Sequence, residues 1–319
     1  MKKILGIMVF LFIVGNINAF VLKKPVLAIG SNEELESKAY YKLYEIFKIK
    51  DVLLHNNEIY ILENNDCCVY RFDMKGNFKG KFAGMGAGPK ELYWPQRMEF
   101  VGDDLWVMDT RNARIQIYKS DGTHKKTLTY AELVMPSEIA IVDNSIFISS
   151  GKLYPRKRNL FIMNKQGEIK KRVNISYKLI SKYMSLWHGA HIIALNNKQI
   201  LLGYKYLPIV GLVDKNGKTT RFADMSDFYF KYREKETKFN RPPLGFSTTA
   251  FSKGPNNTVL IVTCDKVKRM CNTIMQFNSD LSKQLGEVKA DFHVWGIRYF
   301  PKYKMIALIS EGVYFYEVK

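Results

Sequence analysis

The chain has 319 residues, is 47% apolar and is rich in tyrosine and phenylalanine, which excludes a disordered chain and favours strands over helices. Its formal net charge of +19 suits attraction to a polyanion such as an acidic glycan or lipopolysaccharide, or reflects a composition heavy in lysine, asparagine and isoleucine. Lysine outnumbers arginine about three to one and is spread along the chain rather than clustered, so no nucleic-acid partner is expected.

The first element is an address. Met1-Lys2-Lys3, the apolar run Ile4 to Val14 and a small Ala19 have the form of a secretory signal peptide, with cleavage before Phe20. The apolar run is too short to span a bilayer comfortably, and no later stretch is apolar enough. Residues 1–19 are read as the leader and 20–319 as one domain, periplasmic or extracellular, without a transmembrane segment. Loss of the leader removes Lys2 and Lys3 and no acid, taking +19 to +17. Export permits disulfides. Cys264 and Cys271 flank a short break between two apolar runs and are the disulfide candidate, whereas the adjacent Cys67 and Cys68 are read as buried or free thiols.

From residue 59 onward one pattern recurs six times: strand, polar break, strand, turn, strand. Ile59–Leu62, Val69–Asp73 and Gly76 form the first copy, and Leu105–Asp109, Ile115–Tyr118 and Gly122 the second. Ile146–Ile148, Leu160–Met163 and Gly167 follow, then Ile200–Leu202, Val210–Asp214 and Gly217. Val259–Val262 with Ile274–Phe277, and Met305–Leu308 with Val313–Tyr316, complete the series. Glycine supplies the positive φ of such turns, and each thin sheet needs neighbours on both faces. The fold class is therefore all-β, a six-bladed β-propeller. The last unit lacks its outer strand, which the N-terminal segment Leu22–Ile29 is expected to supply, removing a free edge. Phe47–Leu54 is read as the inner strand of the first blade, and Asn32–Phe47 as a short helix.

Gly84-Met85-Gly86-Ala87-Gly88-Pro89-Lys90-Glu91-Leu92, Tyr93-Trp94-Pro95, Leu105–Asp109, Asn112, Arg114–Tyr118 and Asp121-Gly122 together resemble an NHL-type repeat. The chain is similar to the secreted, TolB-like six-bladed propellers of Bacteroidetes. That resemblance implies the propeller and an exported location, and no single activity. In this reading Asp109 caps a turn, Asn112 and Arg114 bond across the hairpin, and the glycine loop lacks the following helix that a phosphate cradle needs.

Propeller ligands meet inner strands at a central channel. Asp51, Arg97, Glu138, His191, Thr248 and Arg298 are the candidate ligand-binding residues there, with two arginines suited to a carboxylate or sulfate. His188, His191 and His293 invite a metal reading, but residues three apart on a strand point to opposite faces. No metal or cofactor is therefore expected, and no assembled catalytic set is visible. Phe222–Pro243 breaks the repeat and is read as an aromatic, basic insertion over one rim. The reading is an exported, non-enzymatic module binding a protein, peptide or glycan. The alternative is a metal-dependent hydrolase or lyase of the lactonase or amidating-lyase type, with its site in the channel.

Overall fold

A computed structural model describes residues 22, 24–33, 38–39, 41–150, 160–173, 190–204, 209–224, 250–264 and 271–318. Chain order gives β1 (Leu27–Gly30) and β2 (Tyr41–Leu43), then five four-stranded antiparallel blades. Blade 1 is β3 (Ile49–His55), β4 (Glu58–Glu63), β5 (Cys68–Asp73) and β6 (Phe78–Ala83). Blade 2 is β7 (Met98–Val101), β8 (Asp104–Asp109), β9 (Arg114–Lys119) and β10 (His124–Thr129). Blade 3 is β11 (Pro136–Val142), β12 (Ser145–Ser150), β13 (Leu160–Met163) and β14 (Ile169–Val173). Blade 4 is β15 (Ala190–Ala194), β16 (Gln199–Tyr204), β17 (Ile209–Asp214) and β18 (Thr219–Asp224). Blade 5 is β19 (Ala250–Lys253), β20 (Val259–Cys264), β21 (Cys271–Phe277) and β22 (Gln284–Lys289). Blade 6 joins β23 (Gly296–Phe300), β24 (Met305–Ile309) and β25 (Gly312–Glu317) to β1 and β2.

Why these strands are apolar on both sides follows from the ring. Six clusters of buried side chains fill the six interfaces between blades. In β4, Ile59 and Ile61 face blade 6 while Tyr60 and Leu62 face blade 2. In β8, Leu105 and Val107 face blade 1 while Trp106 and Met108 face blade 3. Alternate side chains of a strand point to opposite faces, so a sheet buried on both reads as an unbroken apolar run.

The ring closes as the N-terminal apolar segment suggests. Leu27 to Gly30 pair antiparallel with Phe315 to Gly312. One expectation is corrected in part: within Asn32–Phe47, read as a short helix, Tyr41–Leu43 form β2 instead, which runs parallel to β1 with Ala28 opposite Tyr41, while residues 34–37 and 40 lie outside those described. The added strand covers the edge that β1 would otherwise expose, and Tyr44 beyond it packs edge-on against Phe72 at 4.9 Å. Strand β18 runs through Asp224, so Phe222–Asp224 of the stretch read as a rim insertion lie in a strand, and residues 225–249 lie outside those described.

The outer turns keep their glycines for two reasons. Gly122 has φ +95, and a Cβ there would lie 2.6 Å from Phe82 of the preceding blade. Blade 5 has Leu281 at this turn, with φ +61; its side chain is buried against the blade 4 core, which offsets the backbone cost.

Candidate functional site

The inner strands β3, β7, β11, β15, β19 and β23 all begin at one end of the ring. An antiparallel meander puts the second-to-third-strand turns and the links between blades at that same end, here called the entry face. Polar residues near the start of each inner strand therefore converge.

Five of the six residues chosen from sequence form one bonded chain. Asp51, fully buried on β3, accepts from Arg298 Nε at 2.9 Å and Nη2 at 2.7 Å. It also accepts from Arg97 Nη1 at 3.3 Å and the Met98 amide at 3.0 Å. Arg97 Nε donates to Glu138 Oε2 at 3.1 Å, and His191 Nδ1 lies 2.9 Å from Glu138 Oε1. Arg298 Nη1 reaches Glu99 Oε2 at 3.0 Å. This network ties blades 6, 1, 2, 3 and 4 together. Thr248 lies outside the described residues. At the start of blade 5, Ser252 Oγ instead accepts from the Tyr299 amide at 2.9 Å.

Electrostatics pair the charges within the network. Two guanidiniums meet three carboxylates, and Arg97, Asp51 and Glu138 are all buried. Burial opposes the charge on Arg298, but Asp51 and then Glu99 outweigh it and hold its pKa above the ordinary arginine value. Buried charges survive only when paired, and here each arginine is paired at least twice.

Of the three histidines that invited a metal reading, His188 lies outside the described residues. His293 sits in the link before β23, where its Nδ1 accepts from the Cys271 amide at 3.3 Å. The described residues hold one cluster with the donor types of a metal site, Glu63, Asp66 and Cys68. Burial raises the Cys68 thiol to about 12, and Glu63 already accepts from the amides of Lys48, Asn65 and Asp66. A protonated thiol and an occupied carboxylate make a poor ligand set.

The glycine loop contains its own anion. Glu91 Oε2 accepts from the Gly88 amide at 2.7 Å, and a Cβ on Gly86 would lie 2.0 Å from that oxygen. Arg114 holds the loop through the carbonyls of Ala87, Gly88 and Glu91, while its Nε donates to Asp109 at 2.6 Å. Asp109 also accepts from Asn112 and from the Tyr93 amide. Burial raises the Asp109 pKa, opposed by the bonds from Tyr93, Asn112 and Arg114. These residues are the scaffold of a loop that the sequence reading did not treat as a site.

That loop presents what the channel does not. Phe47, Met85, Tyr93 and Trp94 are exposed by 59, 59, 44 and 41%, all on connections that lead into β3 or β7. Beside Phe47 a cavity of about 480 Å³ is lined by Tyr44, Tyr70, Phe78, Glu63, Asp66 and Lys81. A second of about 400 Å³ opens near His293, Trp295 and the stacked pair Phe292–Tyr314, whose rings lie 4.5 Å apart. The signal for this face was present in the sequence as Tyr93-Trp94-Pro95, polar-ended rings in a loop rather than a strand.

Opposite Cys264 in the β20–β21 register stands Cys271, which is disulfide-bonded; Cys67 and Cys68 are free, buried thiols. No helix among the described residues is long and apolar enough to cross a membrane.

Comparison with known proteins agrees with the ring. A family model described as a 6-bladed beta-propeller matches residues 41–131, which are blades 1 and 2 with the strand before them. The chain matches none of the curated proteins with which it was compared. Virginiamycin B lyase from Staphylococcus aureus superposes with a TM-score of 0.57 at 14% identity, covering 87% of this chain and 83% of that one. A streptogramin B lyase gives 0.59 at 12% identity, covering 93% and 94%. The Neurospora crassa Pan2 WD40 domain gives 0.55 at 9% identity, covering 90% and 78%. At such identities the likeness is one of fold, and lyases and a WD40 domain stand side by side in it. The chain is a six-bladed, all-β propeller.

Proposed function

We propose that the chain is an exported, non-enzymatic binding propeller that takes a glycan, peptide or envelope-protein ligand on its entry face. The carrying observation is the gathering of Phe47, Met85, Tyr93 and Trp94, exposed, at one end of the ring. Large exposed apolar side chains collected in one place favour a partner surface. Support for export comes from the leader-like residues 1–19 and from the bonded Cys271, which suits an oxidising compartment. The purified chain is tested on immobilised acidic glycans, neutral glycans and envelope proteins. Salt-dependent capture that weakens in Phe47→Ala and Tyr93→Ala is the expected result. Indifference to all three surfaces, or capture untouched by both substitutions, contradicts the proposal.

A metal-dependent hydrolase or lyase in the channel is the second reading, favoured by His191 set against Glu138 at 2.9 Å, as a carboxylate orients a general base. Stoichiometric metal in the gently purified protein supports it, and metal content near zero dismisses it.

A further inference from the structure

Among the described residues, every arginine but one has a carboxylate within ion-pair distance. The exception is Arg111, in the turn between β8 and β9 on the entry face. Its guanidinium carbon lies 4.5 Å from the centre of the Trp94 ring. Lys48 Nζ lies 5.8 Å from the same ring, and its ammonium too has no carboxylate in reach among the described residues. Two cations thus share one exposed indole within a few residues of Phe47 and Tyr93, on a chain of net charge +19.

The platform is built rather than loose. Trp94 has φ +54, a conformation that a bulky side chain seldom takes. Met135, also before a proline, repeats it with φ +52 on the link into β11. In blade 2 this conformation carries a tryptophan that is 41% exposed. Arg111 is fixed to the same loop, its amide donating to the Tyr93 carbonyl at 3.1 Å. The Tyr93 amide in turn donates to buried Asp109 at 2.6 Å. The backbone that carries Arg111 and Trp94 is therefore fixed before any ligand arrives, which lowers the entropy lost on binding.

A guanidinium lying over a ring keeps its N–H fork directed past the ring edge, where it matches the two oxygens of a carboxylate. Tyr93 and Phe47 add flat apolar surface nearby. We infer that Arg111, Lys48 and Trp94 form the anion subsite of the entry face, and that its ligand is an acidic saccharide of the uronate type. A uronate carries its carboxylate beside the apolar CH face of a sugar ring, so one unit meets both features. An acidic peptide offers the carboxylate on a flexible stem without that face. The inference rests on the binding reading above and names its ligand class.

The test is a calorimetric titration of the purified chain with oligogalacturonate, with its methyl ester and with oligoglutamate. Oligogalacturonate binds, and the ester does not. Arg111→Ala weakens binding by about tenfold or more, and Arg111→Lys, which keeps the charge and loses the fork, by roughly threefold. Both variants stay folded, with a urea midpoint close to that of the wild type. Unchanged affinity in Arg111→Ala overturns the subsite, as does oligoglutamate binding more tightly than oligogalacturonate. Capture of neutral glycans or envelope proteins without any affinity for oligogalacturonate overturns the subsite and leaves the binding reading standing. No binding to any of these ends both.

Discussion

Arg298 in the channel and Arg111 on the entry face are the same residue type in opposite circumstances. Arg298 gives its guanidinium to Asp51, Glu99 and the Met98 carbonyl, with its side chain 15% exposed. Arg111 lies exposed over Trp94 with no carboxylate in reach among the described residues. The difference is set by water. A buried charge must be paired or its desolvation goes uncompensated, whereas an exposed one is solvated and an ion pair adds little. The channel arginines are therefore committed to joining blades, and the exposed arginine spends none of its charge on a carboxylate among the described residues.

Five substitutions break or sharpen this contrast. Asp51→Ala leaves Arg298 and Arg97 without their shared carboxylate and is expected to cost about 3–5 kcal/mol in urea unfolding; an unchanged midpoint would dissolve the distinction. Next in size is the cystine. Cleavage after Lys266, Lys268 or Arg269 leaves two peptides that only a Cys264–Cys271 bond could hold together, so a non-reduced tryptic map tests the pairing directly. Cys271→Ser is expected to lower stability by about 2 kcal/mol, the value for closing a short loop.

Glu58 shows what a paired charge does at intermediate burial. Its burial would raise its pKa, but bonds from Lys79 and Arg71 outweigh that and hold it below its ordinary value of 4.5. A lowered folded pKa means that stability is present above the unfolded value and is lost as pH falls through the folded one. Glu58→Gln should therefore cost about 1 kcal/mol at neutral pH and flatten the acid limb of the stability curve below pH 4.5. A curve of unchanged slope would show the pairing to be idle. Tyr93→Ala and Phe47→Ala, at the exposed end of the comparison, are expected to change stability by about 0.5 kcal/mol or less.

The two regions also differ in how far the sequence reveals them. Blades are legible because Ile59–Leu62, Leu105–Met108 and Val259–Val262 carry their meaning in adjacent residues, through burial on both faces. The channel is legible one step further on. Asp51, Arg97, Glu138, His191 and Arg298 occupy equivalent places at the start of inner strands, so counting along each repeat brings them together. That their charges satisfy one another is a matter of side-chain direction, which repeat counting does not contain. Strand β2 was missed because a parallel edge strand needs a partner chosen by ring closure, not by its own pattern. Arg111 was missed for a related reason. It belongs to a turn after β8, and its tie to Trp94 crosses from one loop to another within the blade.

The most direct test is a side-by-side urea unfolding of Arg298→Leu and Arg111→Leu. The account predicts a loss of about 3 kcal/mol or more for the first, from stranded buried carboxylates. For the second it predicts less than about 1 kcal/mol, the size of one exposed cation–π contact. Equal small losses, or a larger loss at Arg111, would contradict the division between a channel that holds the ring together and a face that meets a ligand.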